Sequence, residues 1–134
     1  RVVFDAEPLI AHADDEPGGA VVETYLGAVA DGDAAGFINC VNCTEIRYTI
    51  ARKYDRAIAD EYLEWIDDIG VKTVGAAGLW SEAAEYVLAY NPALGDAFAL
   101  ATAERAEATL LIGGDGDYDG IDDVPIARFR DGPA

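Results

Sequence analysis

Hydrophobic residues recur along this chain with two different periods. Apolar runs of two to four residues alternate with longer stretches in which apolar residues recur every three to four positions. The short runs predict buried strands, and the longer stretches predict helices with one apolar face. Strands that alternate with helices indicate a parallel sheet covered on both faces.

The pattern predicts five strands and five helices. The strands are expected at residues 2–4, 37–38, 71–74 and 109–112, with a short edge strand at 125–128. The helices are expected at 18–30, 41–55, 57–69, 79–90 and 95–107. The helix at 79–90 is expected to bury a stripe of four residues: Trp80, Ala83, Val87 and Leu88. No linker, repeat or low-complexity tract divides the chain. We therefore expect residues 1–134 to form a single three-layer α/β domain, in which helices flank a mostly parallel central sheet of four to five short strands.

The charge balance is strongly acidic. The 134 residues include 26 acids and 9 bases, which give a net charge of −17, although 51% of the chain is hydrophobic. Only Lys53 and Lys72 are lysines. An Asp-rich, lysine-poor surface on an ordinary apolar core is typical of halophilic proteins, because concentrated salt screens self-repulsion over a Debye length of about 3 Å at 1 M. We expect a halophilic, archaeal source; the alternative is a cationic partner or substrate.

No segment that would direct the chain to a membrane is visible. No apolar run is long enough to span a bilayer, and no signal peptide is seen, although the chain begins at Arg1. We expect a cytoplasmic protein. Cys40 and Cys43 form one Cys-x-x-Cys, with His12 as the only other soft ligand, whereas a structural zinc usually takes four. A redox motif remains an alternative, but we expect reduced thiols on one helical face.

The segment DGDYDG at 115–120 matches the opening of an EF-hand calcium loop. Such a loop needs a glutamate at its twelfth position and a helix on each side. The twelfth residue counted from Asp115 is Ile126, and Pro125 precedes it. The residues before the loop predict a strand rather than a helix. These features oppose a calcium loop. The later acids of the segment are expected to be solvated surface residues: Asp119, Asp122 and Asp123.

Other acids stand where the ligand-binding edge of a parallel sheet is expected, beyond the carboxyl ends of its strands. Asp5 follows the first strand, Glu45 lies one turn into the helix after the second, and Asp96 lies in the first turn of the last helix. Asp115 and Asp117 follow the fourth strand. Each of these acids alone could be a cap, a turn former or a surface residue. Together they predict an oxygen-ligand site for a hard divalent cation, with metal-assisted hydrolysis as its chemistry.

Four segments in this order and spacing resemble a PIN-domain ribonuclease, and among those a VapC-type toxin. They are VVFDAEPLIA at 2–11, INCVNCTEIRYTIARKY at 38–54, NPALGDAFALATA at 91–103 and ATLLIGGDGDYD at 108–119. The resemblance implies catalytic and metal-binding roles for Asp5, Glu45, Asp96, Asp115 and Asp117. It also implies Mg²⁺ or Mn²⁺ as cofactor, RNA as substrate, a small VapB-like antitoxin as partner, and a homodimer. Whether Asp115 or Asp117 is the main ligand stays open.

Two positions depart from the family pattern. The family often has Ser or Thr after the first Asp, where this chain has Ala6 and Glu7. It often has Thr or Ser before the last acids, where this chain has Gly113. In the family these positions tune waters around the metal, so the level of activity stays open.

Basic residues cluster on and after the predicted helix that carries Glu45: Arg47, Arg52, Lys53 and Arg56. We expect Arg47, Arg52 and Lys53 to bind RNA phosphates. The alternative is that they complement the negative end of the helix dipole. Tyr48 and Tyr118 could stack on bases, or could belong to the core or its rim.

The sequence therefore predicts a metal-dependent endoribonuclease that hydrolyses RNA phosphodiester bonds as the toxin of a type II toxin–antitoxin pair. Two alternatives remain: a PIN-like nuclease of RNA maturation or decay without an antitoxin, and a catalytically silent cation-binding or interaction module. An aspartyl-phosphate phosphatase is disfavoured because FDAEPL lacks the second Asp, two residues on, that such enzymes use.

The acidic surface generates a first testable prediction. The free energy of unfolding should increase from dilute buffer to multimolar potassium chloride, because salt screens the repulsion between carboxylates. Chemical denaturation at a series of salt concentrations measures this dependence. Undiminished stability in dilute buffer would contradict the halophilic interpretation.

Overall fold

A computed structural model describes residues 1–113, 116 and 118–130, and within them five strands and six helices follow one another. Their order is β1 (Val2–Phe4), α1 (Ala6–Ala13), α2 (Gly19–Ala30), β2 (Gly36–Asn39), α3 (Cys40–Lys53), α4 (Arg56–Asp68), β3 (Lys72–Val74), α5 (Trp80–Tyr90), α6 (Leu94–Ala106), β4 (Thr109–Ile112) and β5 (Ile126–Arg128).

The five strands form one sheet in the order β3-β2-β1-β4-β5, and every neighbouring pair is parallel. Strand β1 is central: Val3 lies opposite Phe37 of β2 and Leu110 of β4. The prediction of an α/β domain with a parallel sheet is confirmed, and β5 lies at an edge as expected. Because all strands run the same way, their carboxyl ends meet at one edge of the sheet.

Side chains alternate across the central strands and so build two cores. Val2 and Phe4 pack on the face covered by α1 to α4, whereas Val3 packs on the face covered by α5 and α6. In β4, Leu111 joins the first core, and Leu110 and Ile112 join the second. Strands buried on both faces read as continuous apolar runs, which explains why β1 and β4 were visible in the sequence.

Helix α6 is buried through its middle, with every residue from 97 to 103 inside the protein. Its small alanine side chains allow close packing against α3 and against β1 and β2. The first turn of α6 is thereby held beside the carboxyl edge of the sheet.

Helix α1 has no counterpart among the predicted elements. Pro8 lies in its first turn, where a proline is tolerated because that N–H has no helical partner. In the sequence the same proline resembles a helix breaker. Asp5 caps this helix, so the element that the pattern missed is the one that fixes the first acid.

The prediction of which face of α5 is buried was wrong, because the helix is rotated relative to the expected apolar stripe. Ala83 is buried and Val87 packs against the core, but Trp80 is 68% exposed and Leu88 is 79% exposed. Leu79 and Tyr86 are buried instead. Alanines and larger apolar residues lie on more than one face of this helix. The sequence alone therefore does not determine which face turns toward the core.

In the part of the chain that the structure describes, no helix combines the length and the apolar character that crossing a membrane requires.

Candidate active site

Three of the acids that the sequence singled out reach one cleft at the carboxyl edge of the sheet. Asp5 follows β1, Glu45 lies in the second turn of α3, and Asp96 lies in the first turn of α6. The cleft has a volume of about 210 Å³. Its lining comprises Asp5, Ala6, Glu7, Ile10, Glu16, Glu45, Tyr48, Thr49 and Asp96. The structure thus brings together three of the five acids that the sequence singled out.

A buried asparagine fixes the two helices that carry Glu45 and Asp96. The Asn39 side chain accepts a hydrogen bond from Val41 N–H at 2.9 Å and so caps α3. Its Nδ2 donates to Thr102 Oγ1 of α6 at 3.0 Å. One residue at the end of β2 therefore joins the start of α3 to the middle of α6.

A second buried asparagine, Asn42, joins the segments at the cleft itself. Its Nδ2 lies 2.9 Å from Glu45 Oε1, 3.1 Å from the Gly95 carbonyl oxygen and 3.4 Å from Asp5 Oδ1. Its Oδ1 is buried and has no hydrogen-bond partner among the described residues. Sequence reasoning missed Asn42. The available signal was its position one helical turn before Glu45, on the same face of α3.

The Glu45 carboxylate lies directly against the backbone of α6. A Cβ on Gly95 would overlap this carboxylate, so only glycine at 95 allows the approach. Because Gly95 immediately precedes Asp96, the same close contact draws the Glu45 and Asp96 segments together.

Asp5 is the most constrained acid of the cleft. It is only 4% exposed, and its Oδ1 accepts a hydrogen bond from Ala6 N–H at 2.8 Å. Burial and the charge of Asp96 raise the pKa of Asp5 to about 8, with a smaller contribution from Glu45. The hydrogen bonds from Tyr118 and Ala6 oppose this rise. Negative charge at Asp5 is therefore costly unless a positive group compensates it.

Tyr118 is a buried core residue that contacts Asp5. Its hydroxyl donates to Asp5 Oδ2 at 2.7 Å, and the ring is 3% exposed. Burial and the charges of Asp5 and Asp96 raise the pKa of Tyr118 far above its usual range, so the phenol stays a donor. A side chain this deeply buried is not available to stack on a base. Of the two interpretations considered, Tyr118 belongs to the core.

Two of the expected site residues, Asp115 and Asp117, lie outside the described residues. Of the neighbouring acids, Asp119 pairs with Arg128 at 2.8 Å, and Asp123 accepts a hydrogen bond from Tyr90 at 2.6 Å. Both of these acids are exposed, as is Asp122.

The donor chemistry of the cleft fits a hard divalent cation. Asp5, Glu45 and Asp96 line the cleft and offer carboxylate oxygens, the ligands that such a cation prefers. A bound cation would favour the charged form of Asp5, which burial and its neighbours disfavour. Among residues 1–113, 116 and 118–130, however, no group of three or more His, Cys, Asp or Glu side chains is arranged to hold a metal ion.

The basic residues expected to bind RNA differ in their surroundings. Arg47 forms two hydrogen bonds with Asp60, at 2.7 and 3.3 Å, and Lys53 pairs with Asp14. The Arg52 guanidinium lies over the Tyr48 ring, 4.8 Å from its centroid. A cavity of about 420 Å³ opens beside these groups and is lined by Arg47, Tyr48, Ala51, Arg52, Tyr54, Asp55 and Arg56. Tyr48 lines both this cavity and the acidic cleft, so the two adjoin.

Cys40 and Cys43 are free thiols, each half-buried, in the first turn of α3. His12 is engaged elsewhere: its Nδ1 lies 3.0 Å from the Tyr62 hydroxyl, and its ring stacks on Trp65 with 5.7 Å between centroids.

Comparison with known proteins adds a family and a fold. The family model described as PIN domain matches residues 2–124. A toxin–antitoxin complex from Klebsiella pneumoniae has a TM-score of 0.75 at 17% identity, covering 98% of this chain and 99% of that chain. VapBC2 from Rickettsia felis, bound to a DNA fragment from its promoter, has a TM-score of 0.76 at 11% identity, covering 95% and 97%. Identities this low show a shared fold. No curated protein matches the sequence.

The environment of Asp5 generates a prediction about pH. Because its pKa in the folded protein lies above the value of about 4 for the unfolded chain, its contribution to stability is full below pH 4 and is lost as pH rises to about 8. Asp5→Asn should therefore be increasingly more stable than the parent protein from pH 4 to 8. Denaturation at constant high salt with EDTA measures the difference, with the exposed Asp122→Asn as control. A difference that does not change with pH would contradict the raised pKa.

Proposed function

The chain belongs to the PIN domain family, and from that premise we propose that it is a metal-dependent endoribonuclease, the toxin of a VapBC-like type II toxin–antitoxin pair. The observation that carries the proposal is the convergence of Asp5, Glu45 and Asp96, from three separate elements, on one cleft at the carboxyl edge of the sheet. On a surface that is merely acidic, Asp5 would not be buried, and the Asn42 amide would not lie between Asp5 and Glu45.

In this proposal Asp5, Glu45, Asp96, Asp115 and Asp117 hold Mg²⁺ or Mn²⁺. When bound, the cation activates a water molecule and offsets the charge that develops on the phosphate. The chain supplies the positions of the carboxylates: Asp5 is fixed by the Ala6 N–H and the Tyr118 hydroxyl, and Glu45 by Asn42. These contacts leave little rotational freedom to the acids before substrate arrives.

The RNA strand is proposed to run from the acidic cleft across Tyr48 into the neighbouring basic cavity. Tyr48 is 45% exposed and carries the Arg52 guanidinium on its ring, which suits a base or a phosphate beside the cleft. Arg47 and Lys53 remain proposed phosphate contacts, although each would first exchange its aspartate partner. At the high salt proposed for this protein, counterion release adds little affinity, so shape and cation contacts matter more.

A small VapB-like antitoxin is the proposed protein partner, and a homodimer is the proposed assembly, in the cytoplasm. Two solved structures of similar fold are a toxin–antitoxin complex and VapBC2, which supports a partner of this kind. An adjacent small reading frame for a protein with a basic tail would favour this proposal over a nuclease of RNA maturation. Light scattering of the purified protein tests the homodimer.

Substitution of the cleft acids tests the proposed activity. Asp5→Asn or Asp96→Asn should reduce cleavage of a structured RNA pool in high-salt buffer with Mn²⁺ to the level seen in EDTA. Each variant keeps nearly the same volume, so circular dichroism should show an unchanged fold. Asp122→Asn, a matched change at an exposed acid, should cleave like the parent protein. Full activity in either cleft variant would remove the assignment.

Removal of one basic group tests the proposed RNA path. Arg52→Gln should raise the KM for RNA by about three- to tenfold with little change in kcat, because loss of one phosphate contact costs on the order of 1 kcal/mol. Arg105→Gln is the control, since Arg105 pairs with Glu82 and lines neither the acidic cleft nor the basic cavity. A KM equal to that of the parent would exclude Arg52 from the path.

A further inference from the structure

Two positions that depart from the family pattern, Glu7 and Gly113, lie against each other. Glu7 is the second residue of α1, and Gly113 directly follows β4. They meet because β1 and β4 pair in parallel, with Phe4 opposite Leu111, and because Asp5 N–H donates to the Leu111 carbonyl at 3.0 Å. The segments that follow these two strands in the sequence therefore begin next to each other.

The Glu7 carboxylate fills the space that a side chain at 113 would occupy. A Cβ built on Gly113 would overlap both carboxylate oxygens and the Cδ of Glu7. Gly113 is not among the glycines with a positive φ, so its backbone would accept other residues. Space rather than backbone conformation thus requires glycine here. The overlapping atoms are the end of a flexible side chain, so a larger residue would displace Glu7 without unfolding the protein.

Arg130 holds Glu7 in this position. Its Nη2 donates to Glu7 Oε1 at 2.6 Å, and its Nη1 lies 3.5 Å from Glu16 Oε1. The guanidinium also lies over the Phe129 ring, 4.7 Å from the centroid. The paired side chains are 34% exposed for Glu7 and 23% exposed for Arg130, so this contact is partly shielded from water.

We propose that Glu7 is a further cation-binding carboxylate of the cleft. Arg130 holds the carboxylate in place, and the absence of a side chain at Gly113 leaves room for it. This inference rests on the proposed cation-dependent function. Glu7 lines the same cleft as Asp5, Glu45 and Asp96. Neutralising it would remove one negative charge from the cleft lining and leave Arg130, among the described residues, paired with Glu16 alone. The lost negative charge and the less compensated positive charge would both weaken cation binding.

Glu7 and Gly113 depart from the family pattern for one shared reason. A carboxylate at position 7 and a side chain at position 113 exclude each other, because they compete for one space. The residues are therefore coupled: the effect of enlarging Gly113 should act through Glu7 and should vanish once the Glu7 side chain has been removed.

Calorimetric titration with Mn²⁺, in high salt and without RNA, tests the proposal on six proteins: the parent, Glu7→Gln, Glu7→Ala, Gly113→Ser, the double variant Glu7→Ala/Gly113→Ser, and a control. Glu7→Gln and Gly113→Ser should each bind Mn²⁺ about tenfold more weakly than the parent. Gly113→Ser should cause no further loss in the Glu7→Ala background. Thermal unfolding in EDTA shows whether each protein is folded.

Glu82→Gln is the matched control. Glu82 also lies in the first turn of a helix and pairs with an arginine, Arg105, at 3.1 Å, but it does not line the cleft. Its Mn²⁺ affinity should equal that of the parent.

The outcomes distinguish a failure of the role proposed for Glu7 from a failure of the proposed cation-dependent function. If the parent binds Mn²⁺ and Glu7→Gln binds it equally well, the role of Glu7 is wrong while the proposed function stands. If the losses from Glu7→Ala and Gly113→Ser simply add, the coupling is wrong. If the parent binds no Mn²⁺, the proposed function fails, and this inference fails with it. Should Gly113→Ser not fold, the isosteric Glu7→Gln still decides the role of the carboxylate.

Discussion

Negative charge gathered away from water is the constraint on which the rest of this structure depends. Asp5 is almost fully buried, and Asp96 and Glu45 raise its pKa further. Such an arrangement is unfavourable unless donors surround it. The backbone N–H of Ala6, the hydroxyl of Tyr118 and the amide of Asn42 supply those donors. Each comes from a different part of the chain.

Close packing by small residues makes this gathering possible. Gly95 lets the Glu45 carboxylate touch the start of α6, and Gly113 leaves the space that Glu7 occupies. The alanine-rich face of α6 brings that helix down onto the sheet, so Asp96 reaches the edge where β1 ends. Glycine and alanine residues, which have no reactive side chain, thus determine where the acids lie. A single extra carbon at Gly95 or Gly113 would push the neighbouring carboxylate away.

Much of the fold followed from periodicity alone. The strands at Val2–Phe4 and Thr109–Ile112 were predicted with their observed bounds, because buried parallel strands are uniformly apolar. The rule that ligands bind beyond the carboxyl ends of strands brought Asp5, Glu45 and Asp96 to one edge. Helix α1 and the rotation of α5 were not found, since a proline in a first turn and an alanine-rich helix give ambiguous local signals.

The contacts between side chains could not have been predicted. Asn42 resembles any polar residue of a helix until its amide is seen between Asp5 and Glu45. The contact of Glu7 with Gly113 depends on the register of two strands more than 100 residues apart. The basic cluster shows the converse: Arg47 and Lys53 stand out by charge, yet both pair with aspartates, whereas Arg52 packs on Tyr48.

The central claim is that Asp5, Glu45 and Asp96 form one cation site. Anomalous diffraction from crystals soaked in Mn²⁺ tests it most directly, because the signal locates the ion without reference to activity. We expect an anomalous peak in the cleft within coordination distance of these carboxylates. Peaks confined to exposed acids such as Asp122, with none in the cleft, would contradict the account.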